Sequence, residues 1–194
     1  MELSENDVVR GQIVEAARGV FGKFGYKKTT LDEIGHAARK GKTALYYYFK
    51  NKEDVFRAVV EKEAQELSTA ILKEIEKEKD PIEKLKTYFL VRTYTLLKVS
   101  NFYDAMKNEL LDHLPFINKT RYEYDKIELE LVKVILNEGV KKKKFEISDV
   151  DTTAITLVTL LKGLEIPFFV QEKIDIENHV NNLFHIICSG LLKR

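Results

Sequence analysis

Three consecutive tyrosines, Tyr46 to Tyr48, follow the basic residue Lys42 in one short run of the chain. Leu45 and Phe49 are four residues apart, which predicts a helix that buries this pair and leaves the tyrosines largely exposed. Tyrosine hydroxyls and lysine ammonium groups suit phosphate oxygens, and small side chains at a helix start allow close approach to base edges. The run is therefore a candidate for contact with nucleic acid, although at least one tyrosine is expected to pack against the protein.

The charge distribution supports the same interpretation. Residues 10–52 hold ten Lys or Arg and three Asp or Glu, a formal charge of +7, whereas the whole chain carries +1. The remaining residues therefore carry −6. A basic N-terminal module joined to an acidic body favours a polyanionic partner for the first part of the chain.

The elements that must position these residues are helices. With 9 Gly and 3 Pro among 194 residues, and apolar residues recurring at spacings of three and four, the sequence predicts an all-α protein of about nine helices. Three short helices, 9–24, 31–38 and 42–49, with a tight turn before the third, describe a helix-turn-helix unit. We expect Gly25 to end the first helix.

Helix caps and stops suggest how the chain is organised. Thr30 and Glu33 form a capping-box pattern before the second helix, Asn51 and Asp80 are candidate caps before later helices, and Ser148 is a candidate cap near residue 150. We predict a helix-turn-helix domain over 1–52, a connecting helix over 53–79 and a second helical domain over 80–194.

The segment from Ile13 to Phe56 resembles the DNA-binding domain of the TetR family of bacterial transcriptional repressors. The matching residues are Ile13, Ala16-Ala17, Phe21, Phe24-Gly25-Tyr26, Thr29-Thr30, Ile34, Ala38, Lys42 and Leu45-Tyr46-Tyr47-Tyr48-Phe49-Lys50-Asn51-Lys52-Glu53-Asp54-Val55-Phe56. The remaining helices fit the family by number and length.

The resemblance implies a role for each matching polar residue. Thr29 and Thr30 are expected to contact backbone phosphates. The positions that enter the major groove in the family are held here by Lys42, Thr43, Ala44 and Tyr46. Those that resemble phosphate clamps are held by Tyr47, Tyr48 and Lys52. Lysine can donate to guanine, and a methyl group at position 43 or 44 can meet a thymine methyl.

The turn before the third helix departs from the family pattern. The family commonly has Gly-Val-Ser there, and this chain has Arg39-Lys40-Gly41. If Arg39 adopts a positive φ, the strain is on the order of 1 kcal/mol relative to glycine. Gly41 also has no hydroxyl with which to cap the helix. Two extra cations beside DNA are expected to offset these costs by attracting phosphate.

The body of the chain is expected to bind an effector and to form a dimer. The two final helices, about 150–170 and 174–192, are apolar over wide faces, which predicts a four-helix interface with a second copy rather than burial within one chain. The resemblance implies the same dimer and an effector pocket in the middle helices, whose predicted lining is Tyr88, Phe89, Arg92, Phe102, Met106, Phe116 and Tyr122.

Arg92 lies on an otherwise apolar helical face. Its guanidinium can pair with a carboxylate, reach solvent, or bind an anionic ligand. We expect an elongated, mostly apolar effector with one acidic or polar end.

Catalytic and metal-binding patterns are weak. Gly41-Lys42-Thr43 is similar to the end of a phosphate-binding loop, but His36 stands where that motif requires glycine. Glu109 and His113 supply too few ligands for a metal site, and Cys188 is expected to be core. One cysteine, no signal sequence and no membrane-spanning run favour a cytoplasmic protein.

These observations predict a regulator without catalytic activity or cofactor. We expect a homodimeric repressor that binds a palindromic operator in double-stranded DNA and is released by a small, largely apolar effector. The alternatives are a ligand-binding helical protein and a transcriptional activator of the same fold.

Overall fold

In the computed structural model the described residues are 4–99, 101–102, 114–170 and 175–191. They contain eight helices, and the predicted all-α class is confirmed; the predicted number of about nine was for the whole chain. The helices are α1 Glu5–Lys28, α2 Leu31–Ala37, α3 Lys42–Tyr48, α4 Lys52–Ile75, α5 Pro81–Leu96, α6 Pro115–Lys141, α7 Val150–Val170 and α8 Ile176–Leu191. Among the described residues no helix is both long and apolar enough to cross a membrane.

The chain divides into two compact units. The first comprises residues 1–66 and 99–121, and the second comprises residues 67–98 and 122–194. The division differs from the predicted boundaries after residues 52 and 79, because α4 is one continuous helix that contributes residues to both units.

The first unit is built around α1. Its buried residues Ile13, Ala17 and Phe21 recur at spacings of four, so one face of the helix enters the core. The ring of Phe21 meets Phe56 of α4 edge-on, with the ring centres 5.0 Å apart. Gly25 has φ 74° and interrupts α1 before its last turn, as its predicted role as a stop requires.

A buried carboxylate links α1, α4 and the segment 101–102 within this unit. Glu63 is fully buried. It accepts hydrogen bonds from Arg18 Nε at 2.9 Å, from the Asn101 side-chain amide at 2.9 Å and from the Phe102 backbone N–H at 2.7 Å. Because a buried charge is tolerated only when it is paired and hydrogen-bonded, these donors make the position specific for a carboxylate.

Three predicted helix starts can be compared with the structure. Asn51 accepts from the Asp54 N–H at 2.8 Å, and Asp80 accepts from the Ile82 N–H at 2.8 Å, as predicted. The cap of α7 is not Ser148 but Asp149, which accepts from the Thr152 N–H at 3.1 Å. Either side chain can cap a helix, so composition alone does not choose between adjacent residues.

In the second unit the end of α6 depends on one glycine. Phe145 is buried, and its ring lies so close to Gly139 that a Cβ at position 139 would stand 2.0 Å from a ring carbon. Glycine is therefore required there for the aromatic ring to fold back against the helix. The same unit packs α5 against α8, where Phe89 meets Phe184 with the ring centres 6.0 Å apart.

Candidate functional site

The turn between α2 and α3 places a non-glycine residue in the left-handed region. Arg39 has φ 53°, so the condition under which strain is expected at this position is met. The Lys40 N–H donates to the Gly35 carbonyl at 2.9 Å, which closes the end of α2 as in a Schellman motif. Gly35 permits this closeness, since a Cβ there would lie 3.1 Å from the Lys40 carbonyl oxygen.

The α3 helix presents one apolar face inward and one polar face outward. Leu45 and Phe49 are 1% and 3% exposed, so the predicted buried pair is confirmed. Tyr46 and Tyr47 are 46% and 72% exposed. Gly41 provides no side-chain cap, as expected. A large, solvent-facing aromatic surface next to a helix N-terminus is costly in water, and it is suited to contacts with sugar, phosphate and base edges.

The residues at the start of α3 are accessible. Lys42, Thr43 and Tyr46 are exposed and Ala44 is half-buried. The Lys42 ammonium lies 3.7 Å from Asp32 of α2, with both side chains largely in solvent. Such a pair contributes little to stability and exchanges readily, so Lys42 is free to turn toward another acceptor.

The two threonines before α2 have different environments. Thr30 is exposed and forms a capping box, because its hydroxyl and its N–H both donate to the Glu33 carboxylate, at 2.8 and 2.7 Å, and its hydroxyl oxygen accepts from the Glu33 N–H. These backbone and hydroxyl donors hold the pKa of Glu33 below its ordinary value. Thr29 is only 2% exposed, and its hydroxyl donates to the Gly25 carbonyl at 2.9 Å. Its geometry does not support direct phosphate contact; it ends α1 and places Thr30.

Two of the residues expected to clamp phosphates, Tyr48 and Lys52, also form hydrogen bonds within the first unit. The Lys52 ammonium donates to the carbonyl of Tyr26 at 2.9 Å and lies 4.5 Å from the centre of that ring. It thereby closes the last turn of α1. Tyr48 is half-buried and its hydroxyl donates to Asn6 at 3.2 Å. Both bonds reach the surface, where a phosphate oxygen can compete for the donors.

The positive charge of the first unit faces solvent. Most of its cations between residues 10 and 52 are exposed: Arg10, Lys23, Lys27, Lys28, Arg39, Lys42 and Lys50. The Arg10 guanidinium also lies 5.0 Å from the Phe49 ring centre, beside α3. An exposed basic surface around a helix-turn-helix is the electrostatic pattern of a DNA-binding domain.

A cleft lies in the second unit, between the last turns of α4 and helices α5 and α6. It measures about 330 Å³, including the part open to solvent, and its lining is Ser68, Ile71, Leu72, Tyr88, Tyr124, Ile127, Glu128 and Leu131. Of the predicted effector residues, Tyr88 lines this cleft. Tyr124 and Glu128 were absent from the predicted set.

Arg92 is paired with a carboxylate, the first of the three alternatives for it. Its Nε donates to Glu128 Oε1 in a short contact, its Nη2 lies 3.4 Å from Oε2, and the Tyr88 hydroxyl donates to Oε1 at 2.7 Å. All three side chains are buried. Burial, together with the adjacent carboxylate, raises the pKa of Tyr88 well above its ordinary value, so it stays a neutral donor.

The other predicted effector residues do not line this cleft. Phe89 packs against Phe184. Phe102 and Phe116 are buried in the first unit, where Phe116 meets Phe56 at 6.1 Å between ring centres. Tyr122 is 70% exposed. These four side chains face the core or solvent and not this cleft, and their role as effector contacts stays a prediction. Met106, Glu109 and His113 lie outside the described residues.

The helix-turn-helix, its exposed basic surface and the polar face of α3 define a DNA-binding regulator. Residues 13–59 match the family model described as bacterial regulatory proteins, tetR family. The N-terminal part of the chain therefore carries the DNA-binding domain of that family, and the resemblance inferred from the sequence is confirmed there.

Individual relatives match over the whole chain or over the N-terminal part alone. The chain is 26% identical to the transcriptional regulator QacR of Staphylococcus aureus over 95% of this chain and 99% of that protein. It is 38% identical over 27% of its length to IcaR of Staphylococcus epidermidis, named a negative transcriptional regulator of a biofilm operon. That match spans 29% of IcaR, so it covers less than a third of that relative's length.

A solved structure gives the same result for the fold. A Clostridium perfringens protein described as a putative fatty acid metabolism regulator is 26% identical, covers 94% of this chain and 100% of its own, and has a TM-score of 0.69. Since the relatives are named as transcriptional regulators, the prediction that this chain is not an enzyme is confirmed.

Proposed function

We propose that this chain is a homodimeric repressor that binds a palindromic operator and is released by a small, largely apolar effector. The observation that carries the DNA-binding part is the solvent-facing surface of α3, with Lys42, Tyr46 and Tyr47 exposed while Leu45 and Phe49 fix the helix to the core. A regulator of this kind acts in the cytoplasm, where bacterial DNA lies.

The contacts fall into two groups by position. Lys42, Thr43, Ala44 and Tyr46 enter the major groove, where Lys42 donates to guanine and the small residues approach thymine methyls. The hydroxyls and ammonium groups of Thr30, Tyr47, Tyr48 and Lys52 bind phosphates on either side and fix the register of α3. Thr29 acts through Thr30.

A single helix-turn-helix contacts few base pairs, so a symmetric pair of half-sites, one turn of about 34 Å apart, is the expected target. Dimerisation through α7 and α8 is supported by apolar residues that the monomer leaves exposed. Ile155 and Leu160 of α7 are 53% and 43% exposed, and Ile186 of α8 is 62% exposed. A second copy would bury them.

The effector part of the proposal is supported by the apolar cleft of the second unit. The similar Clostridium perfringens structure is described as a fatty acid metabolism regulator, which is in line with an apolar class of ligand. Effector binding would favour a state of the dimer whose α3 helices no longer match the half-site spacing, and DNA affinity would fall.

Fluorescence anisotropy tests the proposal, with labelled DNA from upstream of the coding region and a salt titration. We expect a salt slope of several phosphates and a preference of at least about 10³-fold over scrambled DNA. Salt-independent binding, or no binding, would contradict the DNA-binding part. Equal affinity for scrambled DNA would contradict the assignment of the groove contacts.

Matched variants locate the interface. Tyr46→Ala removes an exposed tyrosine of α3 and is expected to weaken operator binding about tenfold or more. Tyr94→Ala removes a tyrosine of similar exposure, 41%, from α5 and is expected to leave binding unchanged. Lys42→Ala should weaken specific binding more than binding to scrambled DNA. Transcription in vitro from the bound promoter then separates repression from activation.

The dimer is tested separately by sedimentation of Ile155→Asp. A charge on the proposed interface should convert the dimer to a monomer, whereas Val134→Asp, at a position that is 63% exposed on α6, should not. A dimer that survives Ile155→Asp would place the interface elsewhere.

A further inference from the structure

The polar end of the cleft in the second unit has an asymmetric set of hydrogen-bonding groups. The apolar part of its lining consists of Ile71, Leu72, Ile127 and Leu131. The residues of the lining that carry polar groups are Ser68, Tyr88, Tyr124 and Glu128, whereas Arg92, which pairs with Glu128, is not among the lining residues. Glu128 is therefore the charged residue among the described residues that line the cleft.

The carboxylate has unused capacity on one oxygen. Glu128 Oε1 accepts from both Tyr88 and Arg92, whereas the contact described for Oε2, from Arg92 Nη2 at 3.4 Å, is long. A carboxylate can accept about four hydrogen bonds. The Tyr88 hydroxyl hydrogen is already used, so at this end the Glu128–Tyr88 pair offers acceptors.

Among the described residues that line the cleft no side chain carries a positive charge. An incoming carboxylate would meet the negative charge of Glu128 in a poorly solvated place. The neutral hydroxyls of Ser68 and Tyr124 line the cleft but supply no positive charge to offset that repulsion. A hydroxyl or amine on an apolar body would instead complete the shell of Oε2.

We infer that this cleft binds apolar molecules whose polar end is a hydrogen-bond donor, and that it rejects acids of the same shape. This inference narrows the earlier expectation of an effector with an acidic or polar end to one with a donor end. Its meaning for regulation rests on the proposed effector function. Glu128 sets the specificity, and Arg92 and Tyr88 hold its carboxylate in place.

Titration calorimetry of the full chain, without DNA, tests this with three ligands that share an eight-carbon chain: 1-octanol, octylamine and octanoate. We expect the alcohol and the amine to bind at least about tenfold more tightly than octanoate, the difference that one good hydrogen bond makes. Equal or tighter binding of octanoate would overturn the inference.

Two surface variants show whether the ligands enter this cleft. Ile127→Asp places a charge at the mouth, where the side chain is 57% exposed, so the fold should survive; octanol binding should fall about tenfold. Val134→Asp changes an equally exposed apolar residue of the same helix that does not line the cleft, and should leave binding unchanged. Equal losses in both variants, or none in Ile127→Asp, would overturn the assignment to this cleft.

Glu128→Gln tests the specificity itself, since the amide keeps the shape and adds a donor. The preference for octanol over octanoate should shrink or reverse, with folding checked by circular dichroism; an unchanged preference would refute the role of Glu128. If the donors bind as expected and operator affinity does not change, the inference stands and the effector part of the proposed function fails.

Discussion

Two described residues other than glycine have a left-handed backbone conformation, and replacing each with glycine is expected to stabilise the protein. Arg39 has φ 53° and Lys143 has φ 58°. Each ends a helix, α2 in the first unit and α6 in the second, and the N–H of the next residue donates to a carbonyl of that helix, Lys40 to Gly35 at 2.9 Å and Lys144 to Gly139 at 2.8 Å.

The expected gain follows from the Cβ atom. A left-handed conformation costs an L-residue about 1–2 kcal/mol. Glycine avoids this cost but loses about 0.5–1 kcal/mol more backbone entropy on folding. Arg39→Gly and Lys143→Gly should therefore each raise the free energy of unfolding by about 1 kcal/mol, which in a protein of this size is about 2–4 °C in Tm. Because the two sites belong to different units, the double variant should gain about 2 kcal/mol.

Urea unfolding followed by circular dichroism measures these values, with all variants at one protein concentration because dimerisation contributes to stability. Arg39→Ala and Lys143→Ala are the matched controls, since they remove the same charge but keep the Cβ. If the glycine variants are no more stable than the alanine variants, the strain is absent and the reasoning is refuted.

The same variants separate stability from DNA binding. If Arg39 contacts a phosphate, Arg39→Gly should reduce the salt slope of operator binding by about one unit despite its greater stability. Lys143→Gly should leave the slope unchanged, because it removes an equal charge from the other unit.

Three further predictions concern single positions. Glu63→Ala should destabilise the protein by about 3–5 kcal/mol in urea unfolding, because it leaves buried donors unpaired. Glu15→Ala, which breaks the solvent-exposed ion pair of Glu15 with Lys62, should cost less than about 1 kcal/mol, and equal costs would contradict this account. Gly139→Ala should lower Tm because the added methyl group meets the buried Phe145 ring. Gly19→Ala, at a helical position with open space around it, should raise Tm slightly. A Gly139→Ala variant as stable as the parent would show that the Phe145 ring moves freely. The Ile82 N–H, with help from a nearby lysine, lowers the pKa of Asp80 from its ordinary 3.8. The stability that the charged Asp80 gives is therefore present above pH 3.8 and is lost as the pH falls through the lower pKa of the folded state. In acid unfolding the difference in stability between the parent and Asp80→Asn should vanish below that range, and a constant difference would exclude a role for this charge.

Much of the first unit follows from local sequence patterns. The positive φ of Gly25 and Arg39, the capping box at Thr30 and the buried pair in α3 all depend on residues within a few positions of one another. Such short-range features are determined by the conformational propensities and the spacing of neighbouring residues, so a single sequence is enough to predict them.

The second unit depends on pairings between distant helices. Arg92 of α5 and Glu128 of α6 each interrupt an apolar helical face, and this shared irregularity was the available signal. A charge on one apolar face indicates a partner, but which of many carboxylates supplies it is decided by tertiary packing. Tyr122 is exposed and Phe116 is buried, and the sequence could not foresee this, because aromatic character does not specify the direction in which a helical side chain points.

The first unit is not contiguous in the sequence, and this affects how the DNA-reading surface can be produced. Glu63 takes two of its three donors from Asn101 and Phe102, and Phe56 packs against Phe116. On the ribosome, where domains generally fold as units from the N-terminus, these partners emerge only after α5 has been synthesised. A fragment cut after residue 66 would carry every helix of the helix-turn-helix, but Glu63 would keep its Arg18 donor and lose those from Asn101 and Phe102, and Phe56 would lose its contact with Phe116. We therefore expect the DNA-binding unit to be destabilised when it is cut from the rest of the chain.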